Sequence, residues 1–261
     1  MRPRNFTEWG TKMPDLVKYN DIYDAQRTIA GRVHRTPTIS SSYFGKRLGG
    51  RLHFKLESFQ KTGSFKVRGV LKKLESLDPA QRAKGAVTIS SGNTAQALAY
   101  AASVAGIPSV VVMMTGSDPG KVEATRNYGA EVISAEPKVL FDTGQRVQQK
   151  RGLAYVPPFD DPKVIAGAGT VGLEVMEDVP NADLVVAGIG GGGLISGVAV
   201  AVKGHRPKAR VVGVEPVGAC AMTKSLKDGK TVRLDRVDTV TDGLRGTLRR
   251  RAHPRPRPEV G

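Results

Sequence analysis

The stretch "GAVTISSGNTAQALAYAASVAGIPSVVVMM", residues 85–114, decides the fold class. It contains two apolar, β-rich runs, "GAVTIS" at 85–90 and "PSVVVMM" at 108–114. Between them lies the alanine-rich segment "TAQALAYAASVAG" at 94–106, which has the composition and length of a helix. Two buried strands joined by a helix of this length are typical of a parallel sheet.

The same alternation of strand and helix continues through the apolar part of the chain. Further strands are predicted at 130–135, 153–157, 182–189 and 209–215, and further helices at 119–129, 137–152, 168–179 and 193–205. We therefore expect an α/β protein with two three-layer domains built on parallel sheets. The larger domain is predicted to combine residues 1–79 and 157–261, and the smaller to comprise 80–156. A ligand is expected in the cleft between them, beyond the carboxyl ends of the strands.

Composition and charge restrict the classes of protein that the chain can belong to. No apolar run reaches membrane-spanning length and no signal peptide opens the chain, so we expect a cytoplasmic protein with no membrane partner. The single cysteine, Cys220, excludes an intramolecular disulfide framework. The net charge of +16 raises the possibility of nucleic-acid binding. Aromatic residues make up only 5% of the chain, however, so platforms for stacking bases are scarce and nucleic acid is disfavoured.

The two ends differ from the body of the chain. Residues 245–261, "RGTLRRRAHPRPRPEVG", have neither strand alternation nor an apolar helical face. We expect either a disordered basic tail or a domain whose natural end is missing, which would leave a sheet edge and one wall of the site uncovered. Residues 1–12 are expected to precede a natural start at Met13.

A lysine stands where a helix is predicted to begin in "QKTGSFKVRG", residues 60–69. The apolar positions that follow it have the spacing of one helix face: Val67, Val70, Leu71 and Leu74. Ser64 is a candidate N-cap. A helix N-terminus and the neighbouring Lys61 and Arg68 disfavour a further cation, so the pKa of Lys66 is expected to fall. A neutral amine is a nucleophile, although a surface lysine remains an alternative.

Two strand ends carry small residues that suit an anion. "SSGNTAQ" at 90–96 and "GIGGGGLISG" at 188–197 each join a predicted strand to a predicted helix. Glycines let the backbone approach an anion closely, and a helix N-terminus attracts it; a plain tight turn is the alternative. The second loop also contains Gly188-x-Gly190-x-x-Gly193 with Glu215 downstream, which resembles a dinucleotide fingerprint. A NAD-binding oxidoreductase is therefore a rival interpretation, although it leaves Lys66 unexplained.

Taken together and in order, these motifs resemble the fold type II pyridoxal-phosphate enzymes, the tryptophan synthase β-like family, and most closely its threonine/serine dehydratases. The resemblance rests on "RTPTISSS" (35–42), "KLESFQKTGSFKVRG" (55–69), "SSGNTAQA" (90–97), "PFDDPKVIAGAGTVGLE" (158–174), "GGGGLISG" (190–197) and "GVEPVGA" (213–219). It extends from about Met13 to Leu244.

The resemblance implies a role for each site residue. Lys66 is implied to form the Schiff base with pyridoxal 5'-phosphate, and Lys66 and Ser91 are the implied catalytic residues. The implied cofactor-binding residues are Phe65, Lys66, Asn93, Gly190, Gly191, Gly192, Gly193 and Leu194. The implied substrate-binding residues are Ser91, Gly92 and Thr94. The family usually has histidine at the position of Thr94, and Ala221 stands where some relatives supply a second metal ligand after Glu215, so no metal is expected.

The reaction implied by the resemblance is loss of water and then ammonia from threonine or serine, which gives a 2-oxo acid. A β-replacement synthase or a serine racemase of the same fold would use nearly the same residues. A homodimer or homotetramer is implied. Outside this family, the NAD-binding oxidoreductase and a non-catalytic truncated remnant or basic anion-binding protein remain open alternatives.

Overall fold

The structure, a computed structural model, describes residues 17–244. Its α-helices are α1 (Tyr19–Ile29), α2 (Ser42–Leu48), α3 (Lys66–Glu75), α4 (Pro79–Lys84), α5 (Asn93–Ala105), α6 (Pro119–Asn127), α7 (Leu140–Arg151), α8 (Pro162–Asp178), α9 (Gly193–His205) and α10 (Ala221–Asp228). Its strands are β1 (Thr38–Ser40), β2 (His53–Lys55), β3 (Ala86–Ile89), β4 (Ser109–Met114), β5 (Glu131–Ala135), β6 (Ala154–Tyr155), β7 (Leu184–Gly188) and β8 (Arg210–Val214). The predictions for residues 1–12 and 245–261 lie outside the described residues.

A four-stranded parallel sheet forms the centre of the first half of the fold. Its strand order is β5-β4-β3-β6, and Val87 pairs with Val110 in the register of the two central strands. Helices α3 and α5 pack with Val111 and Met113 in one apolar cluster. Residues of α7 pack with Val87 and Val112 in another. The central strands are therefore covered on both faces, which confirms the predicted parallel α/β class.

The remaining strands form two smaller sheets. Strands β7 and β8 pair in parallel, with Val186 opposite Val212. Strands β1 and β2 pair antiparallel, with Ile39 opposite Phe54. The antiparallel ribbon was not among the sequence predictions, because each of its strands has only three residues and shows too little alternation to detect.

Helices α3, α8 and α9 approach one another so closely that glycine is required at the contacts. A Cβ on Gly167 would lie 2.4 Å from the Arg68 carbonyl oxygen, and one on Gly69 would lie 2.6 Å from that of Val164. A Cβ on Gly197 would lie 2.4 Å from the Ile165 carbonyl oxygen. These separations are shorter than van der Waals contact, so the three helices are held with their backbones touching.

Helix α8 begins earlier than the predicted helix at 168–179. Asp161 is its N-cap and accepts hydrogen bonds from the backbone N–H groups of Lys163, at 2.8 Å, and Val164, at 3.2 Å. Pro162 occupies the first helical position, which suits proline because its missing N–H would have no acceptor there. Within residues 17–244, no helix is long and apolar enough to cross a membrane. The division into domains at residues 79/80 and 156/157 stays a prediction.

Candidate active site

Lys66 is the first residue of α3, and its amine is enclosed by neighbouring groups. Its Nζ atom donates a hydrogen bond of 2.7 Å to the Pro158 carbonyl and lies 5.2 Å from the centre of the Phe65 ring. Burial lowers the pKa of Lys66 to about 8. The direction of this shift agrees with the sequence prediction, but its cause is burial and not the nearby cations, since the charge of Arg68 is paired with Glu57 and Glu174.

The loop before α3 contains two buried hydroxyl groups with no hydrogen-bond partner among the described residues, those of Thr62 and Ser64. The predicted role of Ser64 as the N-cap is wrong: Phe65 occupies that position, and the bond from the Arg68 N–H to the Phe65 carbonyl, 3.1 Å long, closes the first turn. A buried hydroxyl without a partner costs free energy. Thr62 and Ser64 are therefore candidates to contact a polar ligand beside Lys66.

The glycine loop, Gly190 to Gly193, joins β7 to α9. Gly192 is the N-cap of α9 with φ +88°, a left-handed conformation that favours glycine. The first N–H groups of a helix have no acceptor within it, so the start of α9 at Gly193 and Leu194 can bind an anion. Two of the glycines are also required by the protein's own packing. A Cβ on Gly191 would lie 2.2 Å from a Phe159 ring carbon, and one on Gly193 would lie 2.9 Å from the Phe159 carbonyl oxygen.

The segment Pro158–Phe159 connects the lysine to the glycine loop. The Pro158 carbonyl accepts the hydrogen bond from Lys66, while Phe159 packs on the loop. Phe65 and Leu194 belong to one apolar cluster on the inner side of β7 and β8. The structure therefore brings together Lys66, Phe65, the glycine loop and Leu194, which the sequence placed in a single site.

The loop between β3 and α5 carries the other predicted site residues. The Ser91 hydroxyl accepts a hydrogen bond of 2.8 Å from the Met114 N–H, and the Gly92 N–H donates one of 3.3 Å to the Ser90 hydroxyl. Asn93 is exposed at the first position of α5. Thr94 is only 3% exposed and belongs to the buried face of that helix. Ser91, Gly92 and Asn93 thus lie at the carboxyl end of β3, where Asn93 is open to solvent.

The sequence placed Pro158 and Phe159 at the start of the motif at 158–174 but gave neither of them a role. Their signal is weak, because a proline followed by an aromatic residue occurs in many loops, and only the fold reveals that they touch both Lys66 and the glycine loop. Glu215 also has a role that was not predicted. Its carboxylate accepts hydrogen bonds from the N–H groups of Met222, at 2.9 Å, and Thr223, at 2.7 Å, at the start of α10. Both oxygens of the Glu215 carboxylate therefore already accept hydrogen bonds from the protein.

Across residues 17–244, no group of three or more His, Cys, Asp and Glu side chains could hold a metal ion. An open cleft of about 540 Å³ is lined by Arg35, His53, Asp178 and their neighbours. None of the predicted site residues lines this cleft.

The geometry defines a class of protein. A lysine whose amine is enclosed and whose pKa is lowered lies beside a helix start that can bind an anion, and two buried hydroxyls without a partner among the described residues lie in the loop that precedes the lysine. This donor set fits a cofactor that carries both a phosphate and a carbonyl group that reacts with an amine. It is the arrangement expected of an enzyme that attaches pyridoxal 5'-phosphate to lysine.

Comparison with known proteins agrees with this class. The model of the family described as "Pyridoxal-phosphate dependent enzyme" matches residues 29–257. The chain is 43% identical to the L-threonine ammonia-lyase of Thermotoga maritima over 232 residues, which are 88% of this chain and 58% of that protein. It is 42% identical to the catabolic L-threonine dehydratase TdcB of Escherichia coli over 230 residues, 87% of this chain and 70% of that protein.

A solved structure gives the same result. Maize serine racemase superimposes with a TM-score of 0.87 at 41% identity, covering 90% of this chain and 72% of the racemase. The chain belongs to the pyridoxal-phosphate dependent enzyme family, and the match confirms both the resemblance and the cofactor that it implied. The chain is short by comparison, since it spans 58% of the length of the Thermotoga protein.

Proposed function

We propose that this chain is a pyridoxal-phosphate-dependent ammonia-lyase that converts threonine or serine into a 2-oxo acid and ammonia. The observation that carries the proposal is the partly buried Lys66 amine, with a pKa of about 8, held 2.7 Å from the Pro158 carbonyl beside the glycine loop. The similarity to two threonine dehydratases supports the substrate class. The reaction first eliminates one water from the amino acid. Hydrolysis of the dehydrated product then consumes one water and releases ammonia.

Lys66 has two tasks in this proposal. At pH 7 a lysine with a pKa of about 8 is neutral in about one molecule in ten, far more often than an ordinary lysine. The neutral Nζ would hold the cofactor through its nucleophilic amine and, as a free amine, would accept the α-proton of the substrate. The free amine is held in position by its hydrogen bond to the Pro158 carbonyl. When bound, pyridoxal phosphate supplies the electron sink for the α-carbon.

The remaining residues bind and orient. The N–H groups of the glycine loop and the start of α9, from Gly190 to Leu194, would hold the cofactor phosphate, and Phe65 would form part of the cofactor pocket. Asn93 would hydrogen-bond the cofactor ring, while Ser91 and Gly92 would bind the substrate carboxylate. Thr94 is buried, so we propose that it contributes mainly through its backbone N–H at the start of α5.

Product analysis tests the proposal. The purified chain, supplied with pyridoxal 5'-phosphate, should release 2-oxobutanoate and ammonia in equal amounts from L-threonine, or pyruvate and ammonia from L-serine. Lys66→Ala should abolish release, and Lys61→Ala is the matched control because Lys61 is an exposed lysine of the same loop. Turnover that survives in Lys66→Ala would refute the role of Lys66. Tight NAD binding without pyridoxal-phosphate binding would instead favour the oxidoreductase.

Serine racemase is the second candidate, favoured by the agreement with the maize enzyme. Chiral chromatography separates the two, because a racemase accumulates D-serine whereas an ammonia-lyase accumulates pyruvate.

We further propose that the protein acts in the cytoplasm as a homodimer or homotetramer. The exposed rings of Tyr43 and Phe44 on α2 and Phe54 on β2, which contact one another edge to face, offer an apolar surface for association. Light scattering during gel filtration measures the oligomeric state.

A further inference from the structure

Four charged side chains form a largely buried cluster near the start of α3. They belong to Lys55, Glu57, Arg68 and Glu174. Arg68, which has no exposed surface, makes paired hydrogen bonds to Glu57, at 2.9 and 2.8 Å, and to Glu174, at 2.6 and 3.0 Å. Lys55 adds an ion pair of 2.8 Å to Glu174. The cluster thus contains two cations and two carboxylates, and we refer to these four residues as the arginine cluster.

The arginine cluster satisfies its polar groups almost completely. Arg68 also donates to the Thr170 hydroxyl, at 3.1 Å, and to the His34 carbonyl, at 3.3 Å. Thr36 donates to Glu57 at 2.6 Å, and Lys55 donates to the Thr36 carbonyl at 2.7 Å. Burial opposes the charged form of Arg68, but the hydrogen bonds with Glu57 and Glu174 hold its pKa above the ordinary value. Buried charges are tolerated only when they are paired in this way.

The placement of the arginine cluster relates it to Lys66. Glu57 and Arg68 lie at the two ends of the segment that carries the lysine, so their ion pair closes residues 57–68 into a loop. Glu174 lies on α8, whose backbone touches that of α3 at Gly167. Two sets of contacts therefore hold the segment that carries Lys66: the ion pair within residues 57–68, and the contact of α8 with α3.

We propose that the arginine cluster is a positioning device that fixes the start of α3, so that the Lys66 amine faces the Pro158 carbonyl and the glycine loop, and that its balanced charges leave burial to determine how readily that amine binds a proton. The proposal rests on the proposed function of Lys66. Arg68 acts through Lys66 and is a positioning residue, not a catalytic one.

The charge balance makes the proposal testable by the sign of an effect. Arg68→Met removes a cation and leaves the cluster with a net negative charge, which favours the ammonium form of Lys66. Glu174→Gln leaves a net positive charge, which disfavours that form. The two variants should shift the pKa of Lys66 in opposite directions, each by about half a unit to one unit. General loosening of the fold would move both in the same direction, because it lets water reach the amine.

Other charged groups near Lys66 are already compensated or exposed. Asp161, in the segment that follows Pro158, pairs with Lys73 at 2.7 Å. Asp178, on the far side of Lys55, pairs with Lys55 at 3.2 Å and also with Arg35. Lys61 and Asp160 are exposed, so their charges are screened by solvent. None of these residues is replaced in the two variants.

The measurement is the rate at which formaldehyde with cyanoborohydride methylates Lys66, followed by peptide mass spectrometry across a range of pH. This probe needs no cofactor, so it gives a result even if the chain fails to bind pyridoxal phosphate and the proposed function fails. Lys72→Met is the matched control. Lys72 lies one turn beyond Arg68 on α3, and its buried amine pairs with the half-exposed Asp24 in a contact that does not involve the lysine segment. Its variant should change the melting temperature but leave the pH midpoint of Lys66 labelling within about 0.2 units.

A fourth variant separates position from charge. Arg68→Lys keeps the cation but cannot form both paired contacts. Its labelling midpoint should match that of the wild type, whereas covalent attachment of pyridoxal phosphate to Lys66, trapped by borohydride, should slow about fivefold or more. Unchanged midpoints in Arg68→Met and Glu174→Gln, or shifts of the same sign, would overturn the proposal. If Arg68→Met does not fold, Glu57→Gln joins Glu174→Gln: a lowered midpoint in both supports the proposal, and any other result overturns it.

Discussion

Replacing Lys66 by methionine should stabilise the cofactor-free protein near neutral pH. The ammonium form of Lys66 is enclosed in the fold, and burial lowers its pKa from 10.5 to about 8. Folding at pH 7 therefore requires a charge to be buried that the unfolded chain would keep in water. Methionine has a similar length and no charge, so it removes this cost while filling the same space.

The size of the effect follows from the two pKa values. A difference of about 2.5 units corresponds to at most ~3.4 kcal/mol, and we discount this to about 2 kcal/mol because the lysine remains partly exposed to solvent. Loss of the hydrogen bond to the Pro158 carbonyl offsets about 1 kcal/mol of the gain at every pH. The net stabilisation near pH 7 should therefore be about 1 kcal/mol, or a few degrees in melting temperature.

The pH dependence identifies the cause. Between the folded pKa of about 8 and the unfolded pKa of 10.5, the unfolded state binds more protons, so the stability of the wild type rises with pH. The cost of Lys66 is fully present below about pH 8 and disappears as the pH rises through 10.5. The advantage of Lys66→Met should accordingly shrink and then reverse as the pH is raised.

Urea unfolding of wild type, Lys66→Met and Lys61→Met at a series of pH values is the assay. Lys61 is an exposed lysine of the same loop, and its variant should show no pH-dependent difference from the wild type. A free-energy difference between wild type and Lys66→Met that is constant from about pH 6.5 to 9.5 would show that folding does not disfavour the ammonium form of Lys66. The role of Lys66 as a ready nucleophile would then lose its physical basis.

Three further substitutions test the packing and electrostatics around the site. Gly191→Ala places a methyl group 2.2 Å from the Phe159 ring and should cost about 1–3 kcal/mol in thermal unfolding, part of which Phe159→Leu should restore. Asp161→Ala removes the N-cap of α8 and should cost about 1–2 kcal/mol in urea unfolding. The hydrogen bond from Arg32 lowers the pKa of Glu75 below 4.5, so the cost of Glu75→Gln should be present above about pH 4.5 and vanish as the pH falls further; a cost that persists in acid would contradict this assignment.

The sequence predicted the fold well where its apolar runs are long. Strands β3 and β4 and helix α5 occur where residues 85–114 predicted them, because runs of three and five consecutive buried residues in the two strands leave little ambiguity. Prediction failed where the decisive interaction is tertiary. Ser64 precedes a helix but does not cap it, since the turn closes through the Phe65 carbonyl. The start of α8 was missed because Asp161 and Pro162 were not recognised as its N-cap and first residue.

The site was predictable as a set of residue types at strand and helix ends, but not as a set of contacts. Lys66 and the glycine loop were found because each stands at a helix start. The contact between Gly191 and Phe159 joins residues 32 positions apart, and no local sequence pattern predicts it. The sequence also could not predict that burial causes the Lys66 pKa shift. It shows that Arg68 is near Lys66 in the chain, but not that two carboxylates neutralise the charge of Arg68.

The backbone contacts among α3, α8 and α9 explain why the lysine and the glycine loop can keep a fixed relation. Lys66 starts α3, and the glycine loop starts α9, while α8 lies between them and touches both through Gly167 and Gly197. Contacts through backbone atoms have no side-chain rotamers to fluctuate, so they transmit position more rigidly than ordinary apolar packing does. A cofactor held at both ends, by an amine and by an anion-binding loop, requires that the distance between these ends stay constant. The glycines inside the helices therefore serve the site as directly as the glycines of the loop do.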